Sequence, residues 1–409
     1  MSASSSIELP YVKGDLARPT VPILAFGGGL TLTVVLRILG HLNLPLYAIC
    51  EKADYAPHSR WYREPPLKGA ANLAPRELSI FLQALPLEQA VLMPCSDDWL
   101  QAVASLPASL SRRFPSCTSP AHVVQAMVDK ARFAILLETL GIPHPRTRLV
   151  RSSEELAGIP KEEFDNGILK PISSVEFARK HGVKGYLVRT RAQALQAAGR
   201  IDFPILLQEY IPGPPTVSYF IDGFVDCNGR VCARFARQRL RMYPAKLGNS
   251  SFMVSVPLDE VAGSAAALDC LLKSVPYRGV FSAEFKYDGR DRTFKLLEVN
   301  ARPWWYVGFA ARCGVDVCTL AYRDALGLQV QPVLKYEVGR HCVFLLDDFG
   351  AYRQLHREGG LSFSSWIRSW AGADDALLCW DDPGPGLACL AYLLRDRVCG
   401  RRSRYAEFD

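Results

Sequence analysis

The stretch Lys295–Arg302, KLLEVNAR, decides the fold of this chain, because it sets a carboxylate, an amide and a guanidinium at alternate positions. Alternate side chains of an extended strand lie on one face, so Glu298, Asn300 and Arg302 are predicted to point the same way. Carboxylate and amide oxygens suit magnesium, and a guanidinium suits a phosphate or a carboxylate. The stretch therefore predicts a polar binding face at the end of a strand.

A partner strand is predicted upstream, over Phe281–Asp288, FSAEFKYD. The intervening Gly289–Arg292 has the composition of a turn, so the two strands are expected to form a hairpin. That hairpin would bring Glu284 beside Glu298. Two carboxylates and one amide side by side indicate a site for one or two magnesium ions that carry a nucleotide.

The composition is that of a globular protein with two or three domains. The chain has 409 residues, of which 49% are hydrophobic and 22% charged, and one core rarely extends over that length. Twelve cysteines and seven histidines are scattered without a CxxC pair. This pattern argues against a structural zinc site and a disulfide framework, so we expect buried, reduced thiols in a cytoplasmic protein.

The N-terminal region predicts neither a signal peptide nor a membrane span. Met1–Pro10 has no basic n-region and no apolar h-region. The uncharged stretch Pro19–Leu36 is interrupted by Gly27–Gly29. A buried strand, a tight turn and a helix explain it better than a transmembrane helix does.

The net charge of +7 is partly local, because five arginines crowd together at Arg395, Arg397, Arg401, Arg402 and Arg404. Such a cluster can bind nucleic acid or anionic lipid. No aromatic-basic RNA motif or zinc finger accompanies it. A solvated helix end is therefore the favoured interpretation, and neither a nucleic acid nor a membrane is expected as a partner.

Residues 1–120 are predicted to form an α/β domain. Its first elements read as strand, helix and strand, over Val21–Phe26, Thr31–Leu42 and Leu46–Cys50. This βαβ unit implies a parallel sheet. Ala90–Pro94 adds a buried strand, and Asp97 and Asp98 follow its carboxyl end, where open α/β sheets bind ligands.

Two further units and a C-terminal extension are predicted. In residues 121–215, one helix and two strands are expected over His122–Leu140, Gly167–Pro171 and Pro204–Tyr210. In residues 216–335, alternating patterns with glycine turns predict an antiparallel sheet that lasts to about residue 300, followed by helix over 305–327. Residues 336–409 are expected to mix short helices with loops. Their tryptophans, Trp366, Trp370 and Trp380, are expected to fill a core, and a cover over the active site or a dimer contact are the alternatives.

Four motifs follow one another in a recognisable order: Val128–Lys130, Ile168–Pro171, Leu206–Gly213 and the hairpin of Glu284 and Glu298. Together they resemble the ATP-grasp superfamily, most closely its carboxylate–amine ligase branch, over about residues 20 to 330. The resemblance implies a mixed α/β and α+β fold. A Rossmann-like pre-ATP-grasp domain (1–120) would precede a small lobe (121–215) and a large lobe (216–335), with ATP between the lobes and a small extension (336–409) after them.

The resemblance also implies a nucleotide-binding role for two of these motifs. Lys130 and Lys170 look like the lysines that hold the α- and β-phosphates of ATP, although a solvated surface charge is the alternative for any single lysine. The segment of Gln208, Glu209, Tyr210 and Ile211 is similar to the hinge that reads adenine through its backbone, and an ordinary buried strand that meets a Pro-Gly turn is the alternative.

The hairpin resembles the metal site of the family. Glu284, Glu298 and Asn300 look like the magnesium ligands, and a structural network with Lys286 and Lys295 is the alternative. Arg302 resembles the arginine that holds an acyl phosphate or the incoming carboxylate, which is a catalytic role.

Three more arginines, Arg237, Arg239 and Arg241, alternate upstream of the hairpin. On a strand they would line one face and could clamp a carboxylate, as the basic strand of such ligases does. Arg241 is the preferred catalytic contact. A solvent-facing strand is the alternative for Arg237.

Two segments depart from the family pattern. Pro214–Thr216 stands where many relatives have an acidic residue that holds the ribose. The loop at 173–185 is poor in glycine and rich in bases, so Lys184 is a candidate phosphate contact in place of backbone amides.

The resemblance implies ATP-dependent ligation of a carboxylate to an amine through an acyl phosphate, with release of ADP and phosphate and with magnesium as the metal. The expected partners are small carboxylates and amines, such as amino acids or peptides, and a homodimer is the oligomer to test. Asp97, Asp98, His58 and Arg60 are candidates to shape a substrate pocket. The alternatives are a catalytically silent ATP-binding regulator or scaffold, and a nicotinamide dehydrogenase that rests on Gly27–Gly29 alone.

Overall fold

A computed structural model describes residues 21–51, 54–70, 73–172, 177, 184–245 and 247–398, with side chains in the last range as far as 395. Of the predicted phosphate loop at 173–185, residues 173–176 and 178–183 lie outside the described residues, as do the arginines beyond 398. Within the described ranges the named strands form three sheets, of three, four and seven strands.

The first sheet is parallel and has the order β2-β1-β3. Its strands are β1 (Ile23–Phe26), β2 (Leu46–Ile49) and β3 (Val91–Pro94). The helices around it are α1 (Gly29–Gly40), α2 (Leu78–Ala84), α3 (Asp97–Ala104) and α4 (Ala108–Arg113). Both faces of β1 are buried, with Ile23 and Ala25 in one core and Leu24 and Phe26 in another. The predicted βαβ unit is therefore confirmed.

The uncharged stretch near the N-terminus forms β1, a turn and α1, as predicted. Gly27 and Gly29 in that turn have φ angles of +139° and +59°, which side-chain-bearing residues rarely adopt. None of the helices in the described part of the chain is long and apolar enough to cross a membrane.

The single helix predicted over 122–140 is wrong, because two helices occupy this range. Helix α5 (Ala121–Val128) ends at Asp129, and α6 (Lys130–Thr139) begins directly after it. Asp129 has a ψ of 107°, and its carboxylate accepts hydrogen bonds from the N–H groups of Ala131 and Arg132. It is therefore an N-cap that starts a new helix with Lys130 in its first turn.

The second sheet is antiparallel and has the order β4-β7-β5-β6. Its strands are β4 (Thr147–Val150), β5 (Gly167–Pro171), β6 (Tyr186–Val188) and β7 (Ile205–Glu209). Helices α7 (Ser153–Gly158) and α8 (Arg191–Ala198) cover one face and share a separate core with it. Both predicted strands of this region are confirmed.

The third sheet has the order β12-β11-β8-β9-β10-β13-β14. Five of its strands are β8 (Ser218–Val225), β9 (Val231–Tyr243), β10 (Asn249–Val256), β11 (Gly279–Asp288) and β12 (Thr293–Asn300). Their pairing is antiparallel throughout, as predicted. The prediction missed helix α9 (Ala262–Ser274), whose Leu268, Leu271 and Leu272 form a buried helical stripe between β10 and β11.

The C-terminal extension completes this sheet. Helices α10 (Val307–Arg312) and α11 (Val317–Ala325) confirm the helical prediction for 305–327. The extension then contributes β13 (His341–Val343), α12 (Leu345–Arg357), α13 (Phe363–Trp370), β14 (Asp374–Asp375) and α14 (Gly384–Val398). Strand β13 pairs with β10 and β14 pairs with β13, so the extension is an integral edge of the large sheet.

The extension's tryptophans differ from one another. Trp366 is 6% exposed and stacks on Tyr352 with ring centroids 4.8 Å apart. Trp380 is 98% exposed. Core filling is therefore right for Trp366 and wrong for Trp380.

Candidate active site

The β11–β12 hairpin sets the carboxylates in the predicted register. Glu284 lies opposite Glu298 and Ser282 lies opposite Asn300. The side-chain amide of Asn300 donates through its Nδ2 to a Glu298 carboxylate oxygen at 3.3 Å and accepts through its Oδ1 from the Arg302 guanidinium at 3.3 Å. Two carboxylates, an amide and a guanidinium therefore form one continuous polar surface.

This surface does not include a third acidic, histidine or cysteine ligand. In the part of the chain that the structure describes, no group of three or more such residues is arranged to hold a metal ion. A magnesium site on the hairpin would therefore take its protein ligands from Glu284, Glu298 and the Asn300 amide, with water or phosphate oxygens completing the shell.

Lys170 reaches this site from the small sheet. It stands near the end of β5, where its amine donates to the Gln208 side chain at 2.7 Å. The pKa of Lys170 is lowered to about 8, chiefly because the amine is buried. The carboxylates of Glu298 and Glu284 act against this shift, and the amines of Lys130 and Lys184 add to it. Because both carboxylates and both amines act on one ammonium group, all five lie close enough to interact electrostatically.

The other two lysines converge on the same cleft. The Lys130 amine, at the start of α6, donates to the carbonyl of Ile172 at 3.5 Å, just beyond the end of β5. The Lys184 amine donates to Asn249 at 2.5 Å, at the start of β10 in the large sheet. The structure therefore brings three amines near Glu284 and Glu298 of the β11–β12 hairpin.

The hinge segment leaves β7 between the two sheets. The N–H groups of Glu209 and Tyr210 donate to the carbonyls of Arg146 and Asn166, at 2.8 and 2.6 Å. Ile211 is buried, and within the described residues its N–H has no acceptor. The Gln208 and Glu209 side chains are held by the protein, Gln208 by Thr147 and Lys170 and Glu209 by Arg290. The Ile211 N–H is thus the hinge donor that remains for a ligand.

Lys286 is a candidate that the sequence analysis treated only as part of a salt-bridge network. It lies two residues after Glu284 on β11, and its amine lies 5.0 Å from the ring centroid of Tyr210 in the hinge. Burial lowers the pKa of Lys286; Arg239 lowers it further, and Glu284 and Asp288 act against this. Lys286 and Glu284 are two positions apart on a strand, so their side chains lie on the same face. This spacing could have predicted from the sequence that the Lys286 amine lies in the cleft.

Of the four arginines of β9, the three at alternate positions have different partners. Arg237 is 2% exposed and pairs with buried Asp222 at 2.6 Å, so the solvent-facing alternative is wrong. Arg239 pairs with Glu284 at 3.0 Å and donates to the Ser250 hydroxyl at 2.8 Å. Arg239 is therefore the arginine of this strand that contacts a predicted metal ligand.

Arg241, the preferred contact from the sequence, is bound by the C-terminal extension. Its guanidinium donates two hydrogen bonds to Asp348, at 2.9 and 2.7 Å. Asp348 is fully buried and also accepts from Ser251 and from the Trp366 indole, each at 2.8 Å. This carboxylate latch joins α12 and α13 to the β9–β10 hairpin.

Arg302 connects the hairpin to the first sheet. It donates to both carboxylate oxygens of Asp97, at 2.7 and 3.3 Å, and Asp97 is the first residue of α3 after β3. The carboxyl end of β3, where the sequence predicts ligand-binding residues, thus contacts the end of the β11–β12 hairpin. His58 and Arg60 instead contact Tyr392 and Asp381 of the extension.

The glycine turn of the first sheet holds a carboxylate of the protein itself. Asp54 accepts from the N–H of Gly29 at 2.6 Å and of Ala56 at 2.8 Å. A Cβ atom at Gly28 would lie 2.5 Å from the same carboxylate. Asp54 therefore occupies the helix N-terminus where a dinucleotide phosphate would bind, and the dehydrogenase alternative has no support in this geometry.

Comparisons with solved structures define the fold. The biotin carboxylase domain of Hydrogenobacter thermophilus 2-oxoglutarate carboxylase, crystallised as a dimer with MgADP, ADP and bicarbonate, matches with a TM-score of 0.59 and 16% identity, over 78% of this chain and 73% of its own. L-amino acid ligase from Bacillus licheniformis matches with a TM-score of 0.55 and 14% identity, over 76% and 75%. The predicted fold class is therefore confirmed.

The chain therefore has the ATP-grasp fold of these solved structures. Among curated proteins it is similar to D-aspartate ligase from Enterococcus faecium (strain Aus0004), with 25% identity over 248 residues. The match covers 57% of this chain and 58% of that ligase, so the chain spans less than two thirds of its relative's length. No protein-family model matches the chain.

Proposed function

We propose that this protein is an ATP-dependent ligase that joins a small-molecule carboxylate to an amine. The observation that carries the proposal is the convergence on one cleft of three lysine amines from the small sheet side and of the Glu284, Glu298 and Asn300 oxygens from the large sheet. Amines that face carboxylates across a cleft suit a magnesium–polyphosphate ligand, which carries both kinds of charge.

The residues present fit magnesium and ATP. Glu284, Glu298 and Asn300 would hold the metal, whose chemistry is to neutralise phosphate charge during phosphoryl transfer. Lys130, Lys170 and Lys184 would bind the phosphates. The N–H of Ile211 would donate to the adenine ring, in the hinge formed by residues 208–211.

The proposed reaction needs no covalent nucleophile from the protein. A carboxylate oxygen of the substrate attacks the γ-phosphorus of ATP, the bond to ADP breaks, and an acyl phosphate forms. The amine then attacks the acyl carbon, phosphate leaves, and the nitrogen loses a proton as the amide forms. Arg302 would stabilise negative charge on the acyl phosphate and Lys170 would hold the transferring phosphates, so catalysis would rest on positioning and electrostatics.

Arg302 itself is positioned by Asp97. The ion pair at 2.7 Å fixes the guanidinium against the first sheet, and its remaining donors are directed to Asn300 and to the carbonyl of Pro303. We therefore assign Arg302 the catalytic contact and Asp97 a positioning role. Arg239, beside Glu284, replaces Arg241 as the β9 arginine proposed to meet substrate.

The names of two similar proteins support a proposal for the class of substrate. D-aspartate ligase and L-amino acid ligase both take amino acids by their names, so an amino acid or peptide is proposed to supply at least one of the two reacting groups. A cytoplasmic location suits ATP and the free thiols of the described residues. A homodimer and the division at residues 120, 215 and 335 are kept as proposals.

A substrate screen tests the proposal. Purified protein with MgATP is incubated with D-aspartate, with L-amino acids and with short peptides, singly and in pairs, while ADP release is followed and products are weighed by mass spectrometry. ADP release that requires a carboxylate, with an amide product that requires the amine, is the expected result. ATP binding without ADP release on every pair would favour the silent ATP-binding scaffold instead. The Glu298→Gln variant serves as the blank.

A further inference from the structure

A cavity of about 780 Å³ lies at the junction of the first sheet's helices with the large sheet. It is bounded by the end of α3, residues 115–120, the turn 227–229, residues 276–278 and the end of α11. Asp97, which meets Arg302, begins α3, whereas Val103 and Ala104 near the end of that helix line the cavity, about 10 Å further along it. The cavity is therefore separate from the proposed active site, and its volume is in the range of about 300–1,000 Å³ that is usual for small-molecule pockets.

Asp324 brings a buried negative charge to this cavity. It lies on α11, lines the cavity and is only 7% exposed. Its carboxylate accepts from the N–H of Cys227 and from the thiol of Cys117, each at 3.0 Å, and both donors are neutral. In the part of the chain that the structure describes, no cationic side chain forms an ion pair with it. Buried charges in proteins are normally paired, so this carboxylate is suited to bind a cationic group of a ligand.

Arg278 brings a positive charge to the same cavity. Its Nε donates to the carbonyl of Thr118 at 2.6 Å and its Nη2 to the carbonyl of Ser116 at 3.1 Å, which hold the guanidinium in place without neutralising it. No carboxylate among the described residues forms an ion pair with it. Burial raises the pKa of the Cys117 thiol; Asp324 raises it further and Arg278 lowers it. Two opposite charges, neither of them in an ion pair within the described residues, therefore lie near one thiol at one cavity.

We propose that this cavity binds a small zwitterion, a free amino acid or a short peptide, with the ligand's carboxylate at Arg278 and its ammonium group at Asp324. Both contacts are charge-assisted hydrogen bonds. A ligand with only one charge would leave Asp324 or Arg278 without a partner and is less well matched. Pro115, Pro276 and Tyr277 line the cavity and offer apolar contacts to the ligand's side chain. The inference goes beyond the proposed ligase reaction and does not depend on it.

Protection of a cysteine in the cavity tests the inference. Cys227 lines the cavity and is an exposed free thiol, and Cys270 on α9 is an exposed free thiol that does not line it. The full chain is alkylated with iodoacetamide at mildly alkaline pH, because the thiolate is the reacting form, and mass spectrometry follows both residues. At about ten times its Kd, alanine or alanyl-alanine should slow alkylation of Cys227 by about tenfold and leave Cys270 unchanged. The one that protects at the lower concentration identifies the ligand as an amino acid or as a peptide.

Analogues with a single charge test the zwitterion in the parent chain, without any substitution. N-acetylalanine lacks the ammonium group and alaninamide lacks the carboxylate. Each should need a concentration at least about tenfold higher than alanine for the same protection, because one charged contact is lost. Equal protection by an analogue and by alanine, equal slowing at both cysteines, or no protection by alanine or alanyl-alanine would overturn the proposal.

Matched variants assign the two charges. Asp324→Asn keeps an acceptor for the N–H of Cys227 and removes the charge, and Arg278→Gln removes the cation. Each should raise the concentration needed for protection by about tenfold. Arg323→Gln is the control, because Arg323 is next to Asp324 on α11 and does not line the cavity. Protection is the ratio of alkylation rates with and without ligand in each variant, and melting temperatures show which variants fold. Undiminished protection in a folded Asp324→Asn or Arg278→Gln variant would refute the site.

Discussion

The β11–β12 hairpin and strand β9 belong to one sheet and both carry polar side chains at alternate positions, yet they use them differently. On the hairpin, Glu298, Asn300 and Arg302 contact one another along the strand and its end. On β9, the three alternating arginines are each paired with a carboxylate from another element: Asp222 of β8, Glu284 of β11 and Asp348 of α12.

The difference teaches that alternation defines a face but not what lies opposite it. A guanidinium paired with a buried carboxylate is held in one place, and breaking such a pair destabilises the fold. Arg237 and Arg241 therefore hold strands and the extension together, whereas the hairpin oxygens remain available to a ligand. Arg239 belongs to both groups, because its partner Glu284 is itself a proposed metal ligand.

Removing Arg241, which pairs with Asp348 of the C-terminal extension, should give the largest effect, a loss of stability. Arg241→Ala leaves fully buried Asp348 without its cationic partner, and loss of one member of a buried pair lowers the free energy of unfolding by about 3–5 kcal/mol. Denaturant unfolding measures this, and the Kd of ADP for the folded variant should change little. Arg241→Lys, which keeps the charge, should lose less. Normal stability with lost turnover would instead restore Arg241 as a substrate contact.

Neutralising a hairpin carboxylate should act on the reaction and not on the fold. We expect Glu298→Gln to slow ADP release by about 100-fold or more, because an oxygen ligand loses its charge where the metal is proposed to bind. Asp291→Asn, in the turn of the same hairpin, is the matched control and should keep most of the activity. A steady-state rate assay with thermal melting compares the two. Equal rates would remove the hairpin from the reaction.

The pH dependence of nucleotide binding should identify Lys170. Its pKa is lowered from the ordinary value to about 8, so the amine is charged below pH 8 and loses its proton as the pH rises through that value. The affinity for ADP should then fall above pH 8 by at most about tenfold per pH unit. Calorimetry across this range measures it. Lys170→Arg should make the profile flat, since arginine stays charged, and a profile that persists in this variant would assign the titration to another group.

The smallest effect is expected at Lys286. Lys286→Met should raise the Kd of ADP by about three- to tenfold, because a half-buried amine beside the hinge loses its charge while the apolar stem is kept. Lys295→Met, on the neighbouring strand and paired with Asp291, should bind ADP as the parent chain does. Identical affinities for the two variants would show that the contact of Lys286 with Tyr210 is structural.

Much of the hairpin could be predicted from the sequence, because a short turn between antiparallel strands determines which residues face each other. Glu284 lies opposite Glu298 for that reason. The break between α5 and α6 was missed because an aspartate within an apolar periodic run can either continue a helix or cap the next one, and the hydrogen bonds of Asp129 decide between these states. Helix α9 was missed because its leucine stripe lies inside a region of strand patterns.

The sequence by itself determined the parallel βαβ opening, the antiparallel strands and the same-face carboxylates, since each follows from residues close together in the chain. Only the tertiary structure decided which charged side chains pair with each other. Arg241 meets Asp348 across 107 positions, and Arg302 meets Asp97 across 205. Pairing at such separations depends on how the sheets and the extension pack, because desolvation and Coulomb attraction act through space between groups that local pattern does not connect.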